Sequence, residues 1–177
     1  MRKDHWAAIA IAGALVTAAP ARADLYVGFG VGDATLREDV AATSDDLNAH
    51  AGGNSYYFGL GLGRHVRFEL TRFDFDRFED EVGPGGPTLR SVGFDADALS
   101  FVLSERIGSD LSLYLRAGWF EWDRREGLSH ESGTDPLFGL GLSYRLGEHL
   151  TLRSEYLRAD AGLQRIEVPT LSIAYHF

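Results

Sequence analysis

Leu171-Ser172-Ile173-Ala174-Tyr175-His176-Phe177 closes the chain, and its alternation decides the fold. Leu171, Ile173, Tyr175 and Phe177 share one parity, with Ser172, Ala174 and His176 on the other. A period of two is that of a β-strand with one greasy face. The large side chains face one solvent and the small or polar ones another, so the next question is which solvent is which.

The same alternation recurs along the chain, at 24–35, 54–63, 66–75, 93–104, 111–123, 135–146, 149–159 and 167–177. In the first segment Leu25, Val27, Phe29 and Val31 oppose Tyr26, Gly28, Gly30 and Gly32. In the second, Tyr56, Phe58, Leu60 and Leu62 oppose Tyr57, Gly59, Gly61 and Gly63. The fifth sets Leu111, Leu113, Leu115, Ala117 and Trp119 against Ser112, Tyr114, Arg116 and Gly118. In the sixth, Phe138, Leu140, Leu142 and Tyr144 stand against Gly139, Gly141, Ser143 and Arg145. A soluble sandwich would put its crowded face in the core. Here the polar face is also the small one, which suits the interior of a narrow barrel with lipid outside. Segments of roughly 9–11 residues are long enough to cross the hydrocarbon when tilted. Only a closed barrel satisfies every strand hydrogen bond there. The expected fold is an eight-stranded antiparallel up-and-down transmembrane β-barrel.

The connections agree with that expectation. Short links fall at 64–65, 106–110 and 147–148, and longer ones at 36–53, 76–92, 124–134 and 160–166. Strict alternation of short and long is the pattern of periplasmic turns and external loops. The third segment is less regular: Val66, Phe68 and Leu70 face outward, yet the same parity brings Arg72 out and Phe73 and Phe75 in. Either a bulge near Thr71 restores the phenylalanines to lipid, or Arg72 snorkels. An arginine near mid-membrane costs about 2–4 kcal/mol.

At the other end, Arg2 and Lys3 precede an almost wholly apolar run from Trp6 to Val16, followed by Ala21-Arg22-Ala23. This reads as a secretory signal peptide over residues 1–23, leaving 24–177 as one barrel domain. No later stretch approaches the roughly 20 apolar residues of a membrane helix. The chain has no cysteine, which removes disulfides, thiolate catalysis and cysteine-bound metals. Its formal charge is −9; Arg2, Lys3 and Arg22 against Asp4 give the leader +2, so the remainder carries −11. Such an acidic surface argues against a nucleic-acid partner.

On Leu111–Trp119, Phe138–Arg145, Leu150–Tyr156 and the terminal strand, the chain resembles the OmpA-like family of eight-stranded outer-membrane barrels. The resemblance covers the whole of 24–177 and implies residence in the bacterial outer membrane, with Leu171, Ile173, Tyr175 and Phe177 closing the cylinder against the first strand. It implies outer-membrane lipids, lipopolysaccharide and the barrel-assembly machinery as partners, and no cofactor. It also implies an interior plug of ion pairs, and Glu69, Arg116, Arg153 and Glu155 have the inward parity to form one. Two readings stay open: structural salt bridges that fill the lumen, or a gate whose pairs rearrange to pass small solutes. Oligomeric state is not readable.

Among candidate sites, His130-Glu131-Ser132 with Asp135 nearby resembles the His-x-Ser element of outer-membrane lipid A deacylases. In those enzymes the element precedes the final strand and is followed by asparagine; here Gly133 follows and two strands lie beyond. A solvated polar loop is the plainer account, and the chain is expected to be no enzyme, with a structural, envelope-integrity or surface-interaction role. Acidic residues crowd the expected loops (Glu38, Asp39, Asp45, Asp46, then Asp74, Asp76, Glu79, Asp80 and Glu81) without the spacing of a calcium loop. Arg90, Arg124, Arg125 and Arg158 are candidates for lipopolysaccharide phosphates. Trp119, Trp122, Tyr56, Tyr144, Tyr156 and Tyr175 are expected as aromatic girdles.

Overall fold

The computed structural model describes residues 24–38, 47–76, 78–80, 90–126, 129–161 and 164–177; the expected leader lies outside them. These residues form β1 (Asp24–Glu38), β2 (Leu47–Gly61), β3 (Val66–Phe75), β4 (Phe78–Asp80), β5 (Arg90–Arg106), β6 (Leu111–Glu126), β7 (Ser129–Arg145), β8 (Leu150–Ala161) and β9 (Gln164–His176). Every pairing is antiparallel. β3 and β4 are successive pieces of one stave, since both lie between β2 and β5. β9 returns to β1, from Tyr26↔His176 up to Glu38↔Gln164, and closes an eight-staved barrel. The Phe177 N–H donates to the Leu25 carbonyl at 2.9 Å, so the last residue is part of the seam.

The short turns at 62–65, 107–110 and 146–149 lie at the same end as Asp24 and Phe177, which marks that end as periplasmic. Gly63 (φ +93°) and Gly147 (φ +123°) sit in two of these turns, in a backbone region where a side chain would be strained.

Along β6, Leu111 to Trp119 is eight steps, or about 26 Å of strand; at a tilt near 40° this is about 20 Å of height. That matches the apolar band of an outer-membrane barrel. Val27, Phe29, Phe101, Leu115, Leu140 and Ile173 are among the large apolar side chains exposed in it.

Above this band the strands continue, and the pattern inverts. Outward on β6, Leu113, Leu115 and Trp119 give way to Glu121, Asp123 and Arg125; inward, Tyr114, Arg116 and Gly118 give way to Phe120 and Trp122. Phe73, Phe94, Phe120, Trp122, Leu137 and Ile166, with smaller neighbours, form one buried cluster inside the outer half. The lower half is thus an inside-out membrane barrel, and the upper half is ordered like a water-soluble one. Expected strand ends such as 54, 123 and 135 fall where this inversion occurs. The strands run on beyond them to Leu47, Glu126 and Ser129.

Several expectations are corrected by the same inversion. The external links expected at 124–134 and 160–166 contract to 127–128 and 162–163, because those residues are strand. There is no bulge near Thr71: β3 runs in unbroken register against both β2 and β5. Phe73 is buried in the upper core, and Arg72 points outward to Asp97 (2.8 Å) and Asp74 (3.2 Å). Arg72 lies above the apolar band, so it has no need to snorkel. Asp74, expected in a loop, is therefore a strand residue with an ion-pair partner, and Glu38, Glu79 and Asp80 also lie in strands. Trp122 is no girdle residue; it is buried and its indole N–H donates to Asp135 at 2.7 Å. Trp119 is more than half exposed on the lipid side.

The two tryptophans give a direct test. In bilayers containing brominated lipid, Trp122→Phe should retain quenchable emission, whereas Trp119→Phe should leave emission that bromine barely quenches. Equal quenching of both variants would contradict the inward placement of Trp122.

Candidate functional site: the barrel lumen

A narrow barrel has room for large inward side chains only where its neighbours are small. Tyr26 lies over Gly59, and Tyr57 lies over Gly28, each pair facing across the β1–β2 ladder. A Cβ at either glycine would fall within the tyrosine ring, so these glycines create space for the phenols. Tyr26 and Tyr57 meet edge to face, with centroids 6.3 Å apart.

Into this space project Glu69 from β3, Arg116 from β6, and Arg153 and Glu155 from β8. All four are buried, Glu69 completely. Arg116 pairs through Nη2 with Glu69 and through Nε with Glu155 at 2.8 Å. Arg153 Nη1 donates to Glu69 Oε1 at 2.7 Å, and Arg153 Nη2 lies 4.0 Å from Glu155. Two cations and two anions make the cluster neutral, which is the condition for holding charges away from water.

Neutral partners take up the remaining donors. Tyr26 donates its hydroxyl to Glu69 at 2.5 Å, and Arg116 Nη1 donates to Thr71 Oγ1 at 3.1 Å. The Arg153 guanidinium lies 4.5 Å from the Tyr114 ring centroid and 4.9 Å from that of Tyr57, within cation–π range. Tyr26, Tyr57, Thr71 and Tyr114 are missing from the sequence-level set. Their shared signal is inward parity within two or three residues of a charged or glycine position.

Above the cluster lies the aromatic and aliphatic core of the outer half. At the periplasmic mouth is an open vestibule of about 320 Å³, lined by residues including Arg67, Arg106, Arg145, Asp110, His149 and His176. The strand seam is tied there by His176, whose Nδ1 is 2.9 Å from Asp24 and whose Nε2 is 3.2 Å from Thr151.

The His130, Ser132 and Asp135 positions are not assembled for nucleophilic chemistry. His130 and Ser132 share the outward face of β7, two residues apart, and no hydrogen bond joins them among the described residues. Such residues lie about 6.8 Å apart along a strand, beyond the roughly 3 Å a hydroxyl–imidazole relay needs. His130 Nε2 faces Asp123 at 3.4 Å, while Asp135 is on the other face, accepting from Trp122. Among the described residues no group of three or more histidine or acidic side chains is placed to hold a metal ion.

The candidate rim arginines differ in setting. Arg125 is outward, 3.0 Å from Asp123 and 3.5 Å from Asp95; Arg124 is largely covered, 3.9 Å from Glu131. Arg158 is exposed opposite Glu167, and the Arg90 side chain lies outside those described.

The sequence matches the family model of the outer membrane protein β-barrel domain over residues 7–177. Three solved structures are similar at low identity. Neisserial surface protein A shares 15% identity at a TM-score of 0.66, covering 86% of this chain and 97% of its own. Ail, the attachment invasion locus protein of Yersinia pestis, crystallised with the heparin analogue sucrose octasulfate, shares 14% at 0.60, covering 88% and 99%. OprG of Pseudomonas aeruginosa shares 12% at 0.57, covering 87% and 96%. At these identities the likeness is one of fold. No curated protein matches the sequence.

Because Glu69 bonds both guanidiniums, it is the most sensitive member of the cluster. Glu69→Ala should lower unfolding stability by about 3–5 kcal/mol, the cost of leaving buried charge unpaired. Tyr26→Phe should cost about 1.5–3 kcal/mol, the range for a hydrogen bond to a charged group. Denaturant titration of the barrel refolded in lipid vesicles measures both. A Glu69→Ala loss under about 1 kcal/mol would show that the cluster is not dry.

Proposed function

The chain belongs to the outer membrane protein β-barrel family, and on that premise we propose that it is a closed, non-conducting, non-enzymatic barrel of the bacterial outer membrane. Its role is to stand as a rigid envelope element whose water-facing outer half makes surface contacts. The expected signal peptide over residues 1–23 delivers 24–177 to that membrane, and lipopolysaccharide and outer-membrane lipids surround it there.

The observation that carries closure is the stacking of two different seals in one narrow lumen. A neutral salt-bridge cluster around Glu69 occupies the membrane level, and an apolar core containing Phe73, Phe94, Phe120 and Trp122 occupies the level above. Rearranging the ion pairs would open only the lower one. A solute would then still meet packed aromatic rings, with stacked or tilted centroids about 6 Å apart. This favours salt bridges that fill the lumen over salt bridges that gate it.

The charge of the outer half bears on what it contacts. Ail was crystallised with a heparin analogue, a sulfated polyanion. Here the outward residues above the apolar band include Asp95, Asp97, Glu121 and Asp123, and the arginines beside them, Arg72 and Arg125, are already paired. With a formal charge of −9, this chain is ill matched to a sulfated ligand.

Planar-bilayer recording of the refolded barrel should show no stepwise conductance, for the native chain and for Arg116→Met alike; discrete openings of the native chain would support the channel reading instead. Mass spectrometry should find lipid A acylation identical with and without the protein. Loss of an acyl chain that depends on Ser132 would establish the hydrolase reading.

A further inference from the structure

Three arginines turn into the periplasmic mouth without an ion-pair partner. Arg67 on β3, Arg106 on β5 and Arg145 on β7 share the inward parity of Glu69, Ser104 and Ser143, and all three line the vestibule of about 320 Å³. Among the described residues, none of the three guanidiniums is bonded to a carboxylate. Arg67 lies deepest, since the next inward residue of β3 is Glu69 of the buried cluster. Its Nε is shielded from solvent and has no hydrogen-bond partner among the described residues. Its guanidinium lies 6.0 Å from the Tyr26 ring centroid. At the level above, by contrast, Arg116 and Arg153 are neutralised by Glu69 and Glu155.

The carboxylates around the vestibule are directed elsewhere. Asp24 is 2.9 Å from His176 Nδ1, Asp110 accepts from the Ser109 hydroxyl at 2.8 Å, and Glu148 sits on the exposed turn at the rim. Guanidiniums that face one cavity repel each other, and an anion held among them removes that repulsion. Each presents a planar fork of donors that matches phosphate or carboxylate oxygens. Ser112 and Ser143, opposite each other on the β6–β7 ladder, add neutral hydroxyl donors to the same wall.

We infer that the periplasmic vestibule is a binding site for a small, water-soluble oxyanion of two or more negative charges, held by Arg67, Arg106 and Arg145. This goes beyond the envelope role proposed above, and it places a ligand site at the end of the barrel opposite the water-facing outer half. The site lies below the Glu69 cluster, so it stands whether or not the lumen conducts. Phosphoryl and carboxylate groups share the required chemistry. A phospholipid headgroup from the surrounding leaflet is the poorer source of it. Phe177 is the only apolar residue of the lining, so acyl chains drawn in behind a headgroup would find almost no cover.

The test titrates inorganic pyrophosphate into the mature barrel in phosphatidylcholine nanodiscs, in metal-free buffer of low ionic strength. The amide signals of Arg67, Arg106, Ser112, Ser143 and Arg145 should shift together and saturate at one anion per barrel. Arg106→Gln and Arg145→Gln, both at the exposed rim, should each weaken binding about tenfold or more, the effect of losing a charge-assisted hydrogen bond. Arg67→Gln should do the same, and the rim variants answer for any misfolding of that deeper one. Arg158→Gln, at the other end of the barrel, should leave the affinity unchanged. Acetate, with a single charge, should bind at least about tenfold more weakly than pyrophosphate. Discs of phosphatidylglycerol without pyrophosphate should leave the vestibule signals where they are in phosphatidylcholine. Shifts that do not saturate, rim variants that bind as well as the native chain, equal loss in Arg158→Gln, or equal affinity for acetate would each overturn the inference. Vestibule signals displaced by phosphatidylglycerol alone would overturn it in favour of a lipid headgroup.

Discussion

Everything in this molecule follows from the need to pair backbone groups where no water can reach them. In hydrocarbon an unpaired N–H or C=O costs several kcal/mol, so the sheet has no tolerable edge and must close on itself. The β1–β9 seam meets that need down to Phe177, whose N–H bonds Leu25. The two prolines inside strands show where the constraint relaxes. Pro169 faces β1 at the one gap in the seam, between Gly32↔Thr170 and Thr35↔Glu167, and Pro136 faces β8 where that ladder ends. Both sit at the top of the apolar band, where water can replace the missing donor.

Closure with only eight staves leaves a lumen about wide enough for side chains to fill, and the interior chemistry follows from that. At the membrane level the large inward groups are accommodated by glycines on the facing strand, and the ionic ones neutralise each other as Glu69–Arg116–Glu155 and Glu69–Arg153. Higher up, with water outside, the outward face turns to aspartate and arginine and the inward face to phenylalanine and leucine. One strand therefore changes solvent part-way along without changing its period. The two halves fill the same tube by different means.

That inversion also sets what could be read from the sequence. The number of staves, their order and the antiparallel closure were legible, because apolar-out alternation is strong in Val27–Val31, Leu111–Trp119 and Phe138–Tyr144. The ends beside the short turns were legible, as was the whole of 66–75, but most of the outer strand ends were not. A search for large residues on one parity stops at Trp119 and at Phe138, where Glu121 and Thr134 take that parity, although the strands continue. Trp122 was misassigned for the same reason: aromatic character suggested a girdle, while its even parity placed it with Arg116 and Phe120. The inward parity of Glu69, Arg116, Arg153 and Glu155 can be read from alternation. Their mutual reach cannot, because it depends on how the closed cylinder sets residues of β3, β6 and β8 at one height. The upper part of β7 was hidden for a related reason, since Ser129–Pro136 reads as a polar loop until β6 is seen to pair with it.

The change of solvent along a single strand is the claim on which lipid contact, lumen closure and the water-facing outer half all depend. The chain has no cysteine, so single cysteines can be placed on outward positions of β6 and spin-labelled without background. Collision accessibility should favour oxygen over a water-soluble nickel chelate at positions 113, 115, 117 and 119, then cross over to favour the chelate at 121, 123 and 125. A profile with no crossover, whether lipid-exposed or water-exposed throughout, would contradict the placement of the membrane on this barrel.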